Sequence, residues 1–554
     1  MLSPLLQRTQ TLSDLARGVD VLIIGGGITG AGVALDAATR GYQVGLVERS
    51  DFAGGTSSRS TKLIHGGLRY LPLWQLGLVR EAAMERDRLR KLAPHLVTPL
   101  AFVVPLYAGM RRPLGIQIPA ALRPLHPLVV RTGLWVYDLL AQTDLRHQAV
   151  SSEALVSALP NIRTEGLIAA YRYYDAQTDD VRLTHGVLRA ARRAGALTLN
   201  YAEAYAINPG PTAVVTIQDR LARGEVRVRA RHIVNAAGVW AEEVARLCGD
   251  TPFRIQYSKG THLVLDLPPA ANAALVIPET DDGRLAFLVP WRDRWILGTT
   301  DESYVGNVSA PEPTAGEARY LLDHLNRYLR VPVGPEAIVG AYTGLRPLVR
   351  RGRRRSAELS RSHEVVEHPN AMVSIIGGKL TTYRKMAEDT VDVLVRRDGS
   401  RTACRTRDLV LDPELEARQV ESAALEAGLI SREASHLYAS YGSAAFRIVD
   451  ILHENPSYRQ RLVGDLPVIA AEVVHACRHE QAVSLTDWMI TRSRLAILDR
   501  RHGHDCAPIV AGLMAKELSW PESETAAQLD GFRHAIAAEM AFTEELRSPA
   551  TALR

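Results

Sequence analysis

The stretch VDVLIIGGGITGAG at Val19–Gly32 decides the fold of the first part of this chain. Its first six residues are aliphatic apart from one aspartate, which is typical of a buried parallel strand. Gly25, Gly27 and Gly30 then form G-x-G-x-x-G, whose glycines permit a tight turn, a close approach of pyrophosphate and close packing of a helix. The helix predicted at about Ala31–Arg40 would turn its N-terminal N–H groups toward that phosphate.

A second strand and an acidic residue complete this unit. The apolar run YQVGLVER contains Glu48, 23 residues after Gly25, where a carboxylate can accept hydrogen bonds from ribose hydroxyls. A plain glycine turn before a packed helix would leave Glu48 unexplained. Strand, glycines, helix, second strand and acid together predict binding of an ADP-containing dinucleotide, although they identify neither the dinucleotide nor the chemistry.

Length and composition indicate a multidomain globular protein. The 554 residues suffice for roughly two to four domains, and 46% of them are apolar. We find no run of about 18 apolar residues and no signal-peptide pattern, so we expect no membrane-spanning helix and no secretion. Four widely spaced cysteines form no C-x-x-C motif, which fits a reducing cytoplasm.

The charged residues are unusual in kind. The formal net charge is +5, which suits an anionic substrate or an acidic membrane surface; no zinc-finger or RNA-binding signature favours nucleic acid. Only six of the 66 basic residues are lysines: Lys62, Lys91, Lys259, Lys379, Lys385 and Lys516. Four of these lie in the motifs described below, which indicates positions that need a compact ammonium, unless they cluster by chance.

Further patterns divide the rest of the chain. Residues 51–71 form a polar, glycine-rich loop, and a long helix should follow at about Trp74–Leu92. Residues 101–145 alternate apolar side chains with arginines, as expected either of a membrane-interface surface or of surface helices packed on their own domain. Strands should dominate 262–300 and helices the chain from about 405. His475 and His479 have no evident third ligand, so we expect hydrogen bonding there and no metal site.

Several later glycine-centred segments resemble flavoproteins of the D-amino-acid-oxidase fold. VNAAG at Val234–Gly238 follows a predicted strand and precedes a predicted helix, and ILGTTDESY at Ile296–Tyr304 resembles the end of a substrate-domain strand. SIIGGKLTTYRKMAED at Ser374–Asp389 supplies a second helix N-terminus, which near the flavin pyrimidine would stabilise an anionic reduced flavin.

Five motifs in this order narrow the resemblance: TSSRSTKLIHGGLRYL, SKGTHLVL, VPWRDRWILGTTD, YTGLRPL and GGKLTTYRKMAE. With them the chain resembles the FAD-dependent glycerol-3-phosphate dehydrogenase family, from about residue 17 to about residue 540. The segment EVVHACRHEQAVSLTDWMITRSRL extends the likeness into the C-terminal part. In this family's pattern Arg59 and Thr61 are departures, which we interpret as harmless loop variation.

The resemblance implies an α/β fold with three domains. A Rossmann-like FAD-binding domain of the D-amino-acid-oxidase (glutathione-reductase-like) type would comprise 15–100, 165–250 and 335–395. An antiparallel β-sheet substrate domain, with the membrane-interface region, would comprise 101–164 and 251–334. A C-terminal α-helical domain would comprise 400–545, and its role in fold support, homodimer formation or acceptor docking stays open.

The resemblance also implies a reaction. It is the oxidation of sn-glycerol 3-phosphate to dihydroxyacetone phosphate by hydride transfer to FAD, with electrons passed to a membrane quinone. Separately, we expect peripheral binding to the cytoplasmic face of the inner membrane, without a spanning helix. The alternative is an oxidase that uses O₂ and releases hydrogen peroxide. An NAD-linked dehydrogenase would leave GGKLTTYR unexplained. Only the arginine cluster at 350–355 favours a non-catalytic protein that binds flavin structurally or binds nucleic acid.

Residues of several motifs are candidates for this chemistry. Arg69, Arg346 and Lys379 can converge on a phosphate dianion, because arginine binds phosphate bidentately and lysine acts as a point charge. His262 is the candidate base and His65 its rival. The resemblance places the following residues at FAD: Gly25, Gly27, Ile28, Thr29, Gly30, Glu48, Arg49, Thr56, Ser57, Lys62, Leu63, His65, Gly66, Gly67, Ala237, Gly238, Gly378, Lys379, Leu380, Thr381 and Thr382.

Overall fold

The computed structural model of the chain describes residues 3–117, 119–141, 145–249, 251–268, 273–350, 362–412 and 416–547, without the side chains of Arg69 and Arg350. The strands are β1 (Val19–Ile24), β2 (Val44–Val47), β3 (Leu63–Ile64), β4 (Val97–Tyr107), β5 (Gln148–Ala149), β6 (Leu167–Thr178), β7 (Leu197–Leu199), β8 (Ala202–Asn208), β9 (Ala213–Asp219), β10 (Glu225–Asn235), β11 (Arg254–Leu265), β12 (Ala273–Ile277), β13 (Ala286–Trp291), β14 (Arg294–Gly298), β15 (Glu302–Tyr304), β16 (Ile338–Arg350), β17 (His363–Glu367) and β18 (Met372–Gly377).

The α-helices alternate with these strands and then continue alone. They are α1 (Pro4–Ala16), α2 (Ile28–Thr39), α3 (Leu76–Leu92), α4 (His126–Ala141), α5 (Ser152–Ala158), α6 (Asp180–Arg193), α7 (Ala241–Arg246), α8 (Ala315–Asn326), α9 (Tyr383–Arg397), α10 (Ala417–Glu426), α11 (Ser431–Tyr441), α12 (Ala445–Glu454), α13 (Ala470–His479), α14 (Leu495–Leu498), α15 (Ala507–Leu518), α16 (Glu522–Met540) and α17 (Phe542–Arg547).

The first sheet is centred on β1. Its strand order is β17-β18-β10-β1-β2-β7, and β9 and β8 extend it beside β10. β1 runs parallel to β2 and β10, and β10 runs parallel to β18. Val21 and Ile23 pack in one core with α2, while Leu22 and Ile24 pack in another with β9. The uninterrupted apolar run of β1 therefore follows from burial on both faces of the sheet.

The second sheet is larger and mostly antiparallel. Its order is β15-β11-β14-β13-β12-β4-β6-β3, with β16 paired to β11 and β5 to β6. The pairing of β4 with β12 is parallel, so the sheet is mixed. The predicted domain ranges stay a prediction, but β6 and β16, which fall in ranges given to the FAD-binding domain, pair in this second sheet. An alternating strand pattern does not reveal its partner strand, which explains the difference.

The chain after residue 416 is helical, as predicted, and is tied to the first sheet by buried charges. Arg182 of α6 donates to Glu480 at 2.8 Å, and Arg492 pairs with Asp51 with both side chains buried. His475 lies 3.8 Å from the same Glu480 carboxylate and is 1% exposed. The helical domain is thus held on the dinucleotide-binding part by paired charges, since an unpaired buried charge would be costly.

In the described part of the region 101–145, β4 is followed by short turns and α4. α4 buries Val130, Leu134 and Tyr137 against the second sheet's core, and its other face exposes Leu128 and Trp135 by about 60%. The packing of α4 on its own domain is confirmed, and the membrane-interface interpretation stays a prediction. In the described ranges, no helix combines the length and apolar character needed to cross a bilayer.

Candidate active site

The turn between β1 and α2 leaves no room for side chains. Gly25 has φ +116°, and a Cβ there would lie 2.5 Å from the carbonyl oxygen of Ala236. A Cβ on Gly30 would lie 1.9 Å from the carbonyl oxygen of Gly25, so α2 can pack on the turn only if both residues are glycine. The N–H of Ile28 at the start of α2 donates to Ser57 Oγ at 2.9 Å. Backbone groups of this turn and the N-terminus of α2 form one wall of a cavity.

This cavity measures ≈520 Å³ and reaches from the glycine turn to the second sheet. Most of the residues predicted for cofactor and substrate line it: Gly25, Gly27, Ile28, Thr29, Glu48, Arg49, Thr56, Ser57, Leu63, His65, Gly67, Ala237, Gly238, His262, Arg346, Gly378, Lys379, Leu380 and Thr381. Segments that lie far apart in the chain are therefore brought together around one space. Gly30 and Gly66 lie behind its wall, and Gly66 N–H donates to Tyr137 and Asp175.

The end of the cavity beside β2 is fixed by Glu48. Its Oε2 accepts from Gly26 N–H at 2.7 Å, and its Oε1 accepts from Ser50 N–H at 2.9 Å. The guanidinium of Arg49 lies 4.4 Å from the centroid of the Trp240 ring, which forms a flat edge beside the carboxylate. A ribose can use the remaining lone pairs of Glu48, and an adenine can lie against the Arg49–Trp240 edge.

The opposite end is formed by the loop after β18 and the segment after β3. Gly378 has φ +80°, and a Cβ there would lie 2.4 Å from Met386 Sδ, so the loop needs glycine at this position. His65 N–H donates to Thr381 Oγ1 at 3.1 Å. Lys379 Nζ lies 3.9 Å from the centroid of the Tyr70 ring, a cation–π contact that orients the ammonium. The side chain of Arg69 lies outside the described residues, so its predicted role stays a prediction.

His262 is buried in this end of the cavity and is held on two sides. Its Nε2 lies 2.8 Å from Thr61 Oγ1, and its ring stacks on Tyr342 with centroids 4.8 Å apart. Burial, and then the positive charges of Arg346 and Lys62, hold the pKa of His262 well below its usual range. The imidazole is therefore neutral near pH 7, and a neutral ring has one nitrogen that can act as a hydrogen-bond acceptor.

Arg346 on β16 is positioned by oxygen atoms of Ser258 on β11 and of the loop after β14. Its Nη1 lies 3.2 Å from Asp301 Oδ1, and its Nη2 lies 3.2 Å from Thr299 Oγ1. A Cβ on Gly260 would lie 2.4 Å from Nη2, so the glycine of SKGTH makes room for the guanidinium. An arginine anchored in this way presents a preorganised cation to an anionic substrate.

Lys62 lies in the segment predicted to line FAD, and its contact with FAD stays a prediction. Its ammonium is fully buried, lies 2.7 Å from Asp180 Oδ2 and donates to the Ser58 carbonyl oxygen. Arg494 of the helical domain also binds Asp180, at 2.6 Å. Burial, and then repulsion from Arg494, lower the pKa of Lys62 to about 8. Through Asp180, the side chain connects the polar loop at 51–71 to the helical domain, and it does not line the cavity.

Sequence reasoning missed some residues of this site. Thr61, interpreted as harmless variation, is the hydrogen-bond partner of His262. Tyr342 stacks on the same ring and donates to the Ser60 carbonyl oxygen at 2.8 Å. Thr61 and Tyr342 lie in TSSRSTK and YTGLRPL, two of the motifs that carry the resemblance. Their position in these motifs was the one signal that they belong to the site. The contact between motifs about 280 residues apart gave no signal in the sequence.

Known proteins share this architecture. The family model described as FAD dependent oxidoreductase matches residues 20–384, and the one described as C-terminal domain of alpha-glycerophosphate oxidase matches 404–525. Glycerol-3-phosphate dehydrogenase 1 of Mycobacterium tuberculosis is 38% identical over 89% of this chain and 95% of its own length. The mitochondrial glycerol-3-phosphate dehydrogenase of Mesocricetus auratus is 35% identical over 92% of this chain and 72% of its own.

A solved structure is similar over almost its full length. The glycerol-3-phosphate dehydrogenase of Bacillus halodurans, complexed with FAD, has a TM-score of 0.78 and 26% identity, with 97% of this chain and 98% of that chain covered. The fold and the site define a flavin-dependent oxidoreductase. The chain belongs to the FAD-dependent glycerol-3-phosphate dehydrogenase family.

FAD is accordingly the cofactor of this protein, and the residues of the cavity fit it. The side-chain-free turn at Gly25–Gly27 and the N-terminus of α2 suit a pyrophosphate, which needs N–H donors and close backbone approach. Glu48 suits a ribose, and the loop at Gly378–Thr381 suits the flavin end. The predicted dinucleotide is thereby FAD and not NAD.

Proposed function

We propose that this protein oxidises sn-glycerol 3-phosphate to dihydroxyacetone phosphate. The observation that supports this most strongly is the meeting of Arg346, Lys379 and a neutral His262 in one cavity, next to the residues that suit a flavin. A small phosphate dianion that must also lose a proton needs this combination of fixed cations and a base. Bound FAD supplies a hydride acceptor.

Arg346, with the predicted help of Arg69, binds the phosphate and orients the substrate. Asp301 and Thr299 fix the guanidinium from the protein side, so its positive charge is held in place beside the cavity. Lys379, held over Tyr70, places a positive charge near the substrate hydroxyl, away from the phosphate. This charge stabilises the negative charge that develops on the reacting oxygen.

His262 receives the hydroxyl proton. Its Nε2 and Thr61 Oγ1 form a hydrogen-bonded pair at 2.8 Å, through which the proton can pass to the imidazole. His65 also lines the cavity and stays the rival for this role. His262 is favoured because burial keeps it neutral and Tyr342 fixes its ring plane.

The proposed electron acceptor is a membrane quinone, reached by peripheral binding at the cytoplasmic face of the inner membrane. An exposed apolar surface around α4 supports this, formed by Leu122, Leu125, Leu128, Trp135 and Leu139, with exposures of 47–61%. Trp74, 84% exposed, precedes α3, which packs on α4. Arginines such as Arg123 and Arg131 flank this surface and suit anionic lipid headgroups.

Anaerobic flavin reduction tests the substrate. The absorbance of bound FAD near 450 nm should bleach with glycerol 3-phosphate and stay unchanged with glycerol at the same concentration. Equal bleaching by both would contradict a need for the phosphate, and bleaching by neither would contradict the proposed reaction.

A comparison of acceptors tests the quinone. Turnover with a soluble quinone analogue should exceed the rate of peroxide release in air, and the reverse result would establish the alternative oxidase. Flotation with anionic liposomes should retain the protein at low salt. The variant Trp135→Glu should lose this retention. Leu425→Glu, 47% exposed on α10 and outside both the α4 surface and the cofactor cavity, is the matched control and should keep it.

A further inference from the structure

A second cavity lies on the side of the molecule where three parts of the chain meet. It measures ≈400 Å³, and α6 of the dinucleotide-binding part, α13 of the helical domain and the N-terminal helix α1 form its walls. Its lining is rich in cationic side chains, contributed by Arg8, Arg189, Arg192, Arg193, Arg447 and Arg478. The residues that line it are different from those that line the cofactor cavity.

Acidic partners neutralise some of these arginines. Arg8 binds Asp219 at 2.6 Å, and Arg478 binds Glu517 at 2.7 Å. Asp412 is shared between Arg189 and Arg193, at 2.7 Å and 3.2 Å. One carboxylate thus serves two guanidinium groups, which leaves part of their charge uncompensated.

Arg192 lacks a carboxylate partner within the described ranges. Its Nε donates to Thr198 Oγ1 at 2.6 Å, and its Nη1 donates to the His479 carbonyl oxygen at 3.1 Å. Its Nη2 is buried and meets no hydrogen-bond acceptor among the residues that the structure describes. Burying a charged donor without an acceptor costs free energy of folding. We therefore expect a ligand in the cavity to supply the acceptor for this N–H group.

Arg447 on α12 faces the same space. Its Nη1 lies 3.3 Å from His479 Nδ1, and no carboxylate of the described chain lies within ion-pair distance of it. Burial, and then the charge of Arg447, lower the pKa of His479 to about 4, so this histidine is a neutral partner near pH 7. The positive charge of Arg447 is therefore not balanced by its neighbour.

Two buried histidines complete the lining. His185 is 4% exposed and His475 is 1% exposed, and each has a ring nitrogen, Nε2 and Nδ1 respectively, without a hydrogen-bond partner in the described part of the chain. Glu480 also lines the cavity, but Arg182 binds its carboxylate at 2.8 Å. The arginines therefore dominate the charge of the lining, and Arg192 Nη2 is a hydrogen-bond donor that lacks an acceptor in the described part of the chain.

We propose that this cavity is a second anion-binding site, for a phosphate-bearing anion of metabolite size. Its oxygens would accept from Arg192 Nη2 and from the guanidinium of Arg447, since planar guanidinium groups match phosphate oxygens. Because Arg192 lies on α6 and Arg447 on α12, the ligand bridges the dinucleotide-binding part and the helical domain. Its occupancy stabilises their association by binding only the folded state.

Pyrophosphate is the probe for this site, with the FAD-loaded protein. At constant ionic strength set by chloride, pyrophosphate should raise the Tm saturably. Calorimetry should detect one pyrophosphate site in addition to any binding at the active site. Arg447→Gln should weaken this binding by about 10- to 100-fold, as expected for one lost charge-assisted hydrogen bond. Arg192→Gln should weaken it further.

Controls distinguish this site from others. Arg533→Gln removes an exposed arginine of α16 outside the cavity and should leave pyrophosphate binding unchanged. Arg447 is exposed, so Arg447→Gln should fold and keep its rate of flavin reduction even if Arg192→Gln does not fold. Unchanged binding in Arg447→Gln, with complete competition by glycerol 3-phosphate, would assign the anion to the active site and overturn the proposal. A Tm shift no larger than that of chloride would also overturn it, since water then satisfies Arg192.

Discussion

The two ends of the cofactor cavity are formed by different kinds of groups, mainly backbone at one end and side chains at the other. At the end near β1, the backbone of the glycine turn makes most of the binding surface, and Glu48 and the Arg49–Trp240 pair complete it. At the other end, side chains from three distant motifs, His262, Arg346 and Lys379, converge. The first end binds a constant part of the cofactor, and the second is where chemistry is proposed. Changes at the two ends should therefore affect different measurements.

The largest effect is expected from Arg346→Gln. Loss of an anchored cation from the substrate phosphate should lower kcat/KM for glycerol 3-phosphate by about 1000-fold, equivalent to ~4 kcal/mol, with the FAD content retained. Steady-state kinetics and the flavin absorbance of the purified variant measure both quantities. Arg254→Gln, an exposed arginine on β11, is the control. Loss of FAD with normal kinetics per flavin would contradict the assignment.

His262→Asn should lower kcat by about 100-fold while KM changes little, because the proton acceptor is lost and the phosphate contacts stay. Since burial and the charge of Arg346 lower the pKa of His262, its charged form appears only well below pH 6.5. The pH profile of wild-type kcat/KM should therefore show no fall near pH 6.5 that depends on His262. His262→Asn should leave the shape of the profile in this range unchanged. A limb at that pH, absent from the variant, would show that His262 titrates normally.

Gly25→Ala should weaken FAD binding by about 30-fold, or ~2 kcal/mol, because a Cβ would meet the Ala236 carbonyl oxygen at 2.5 Å and the residue has φ +116°. Gly41→Ala separates these causes, since Gly41 has φ +93° with nothing near its Cβ position. Flavin released on dilution measures the affinity. If both variants lose FAD equally, general destabilisation is responsible and the close approach is not.

The smallest effect is expected from Glu48→Gln. The amide keeps one acceptor oxygen but places an NH₂ group toward Gly26 N–H or Ser50 N–H, so FAD affinity should fall by about tenfold. At saturating FAD, kcat should equal that of the wild type. A lower kcat at full occupancy would erase the proposed division between the two ends.

Local sequence was sufficient for the architecture around β1. The continuous apolar run, the glycine spacing and the acid after β2 together predict a parallel strand, a turn and a helix, because each depends on neighbours within about 30 residues. The helical C-terminal part was predicted for the same reason. The place of β6 and β16 in the second sheet was not predicted, since strand pairing depends on partners far along the chain.

Lys62 and Thr61 show how the site depends on tertiary contacts. The two residues are adjacent, yet Lys62 points to Asp180 in the interior and Thr61 points to His262 in the cavity. The motif predicted that this loop lines the cofactor, but it indicated neither the ion pair of the lysine nor the histidine contact of the threonine. Which of two neighbours faces the cavity follows from the positive φ of Lys62, +61°, and from the partners that the fold supplies.

The sequence by itself determined the dinucleotide unit, and the ordered motifs indicated the family. These properties depend on residues that are close together in the sequence, because glycine conformation and apolar periodicity act locally. Only the tertiary structure decided which cations share a cavity, that His262 is buried and neutral, and that Arg192 and Arg447 meet across two domains. Burial and charge pairing depend on everything that surrounds a group, so no single stretch of the chain contains them.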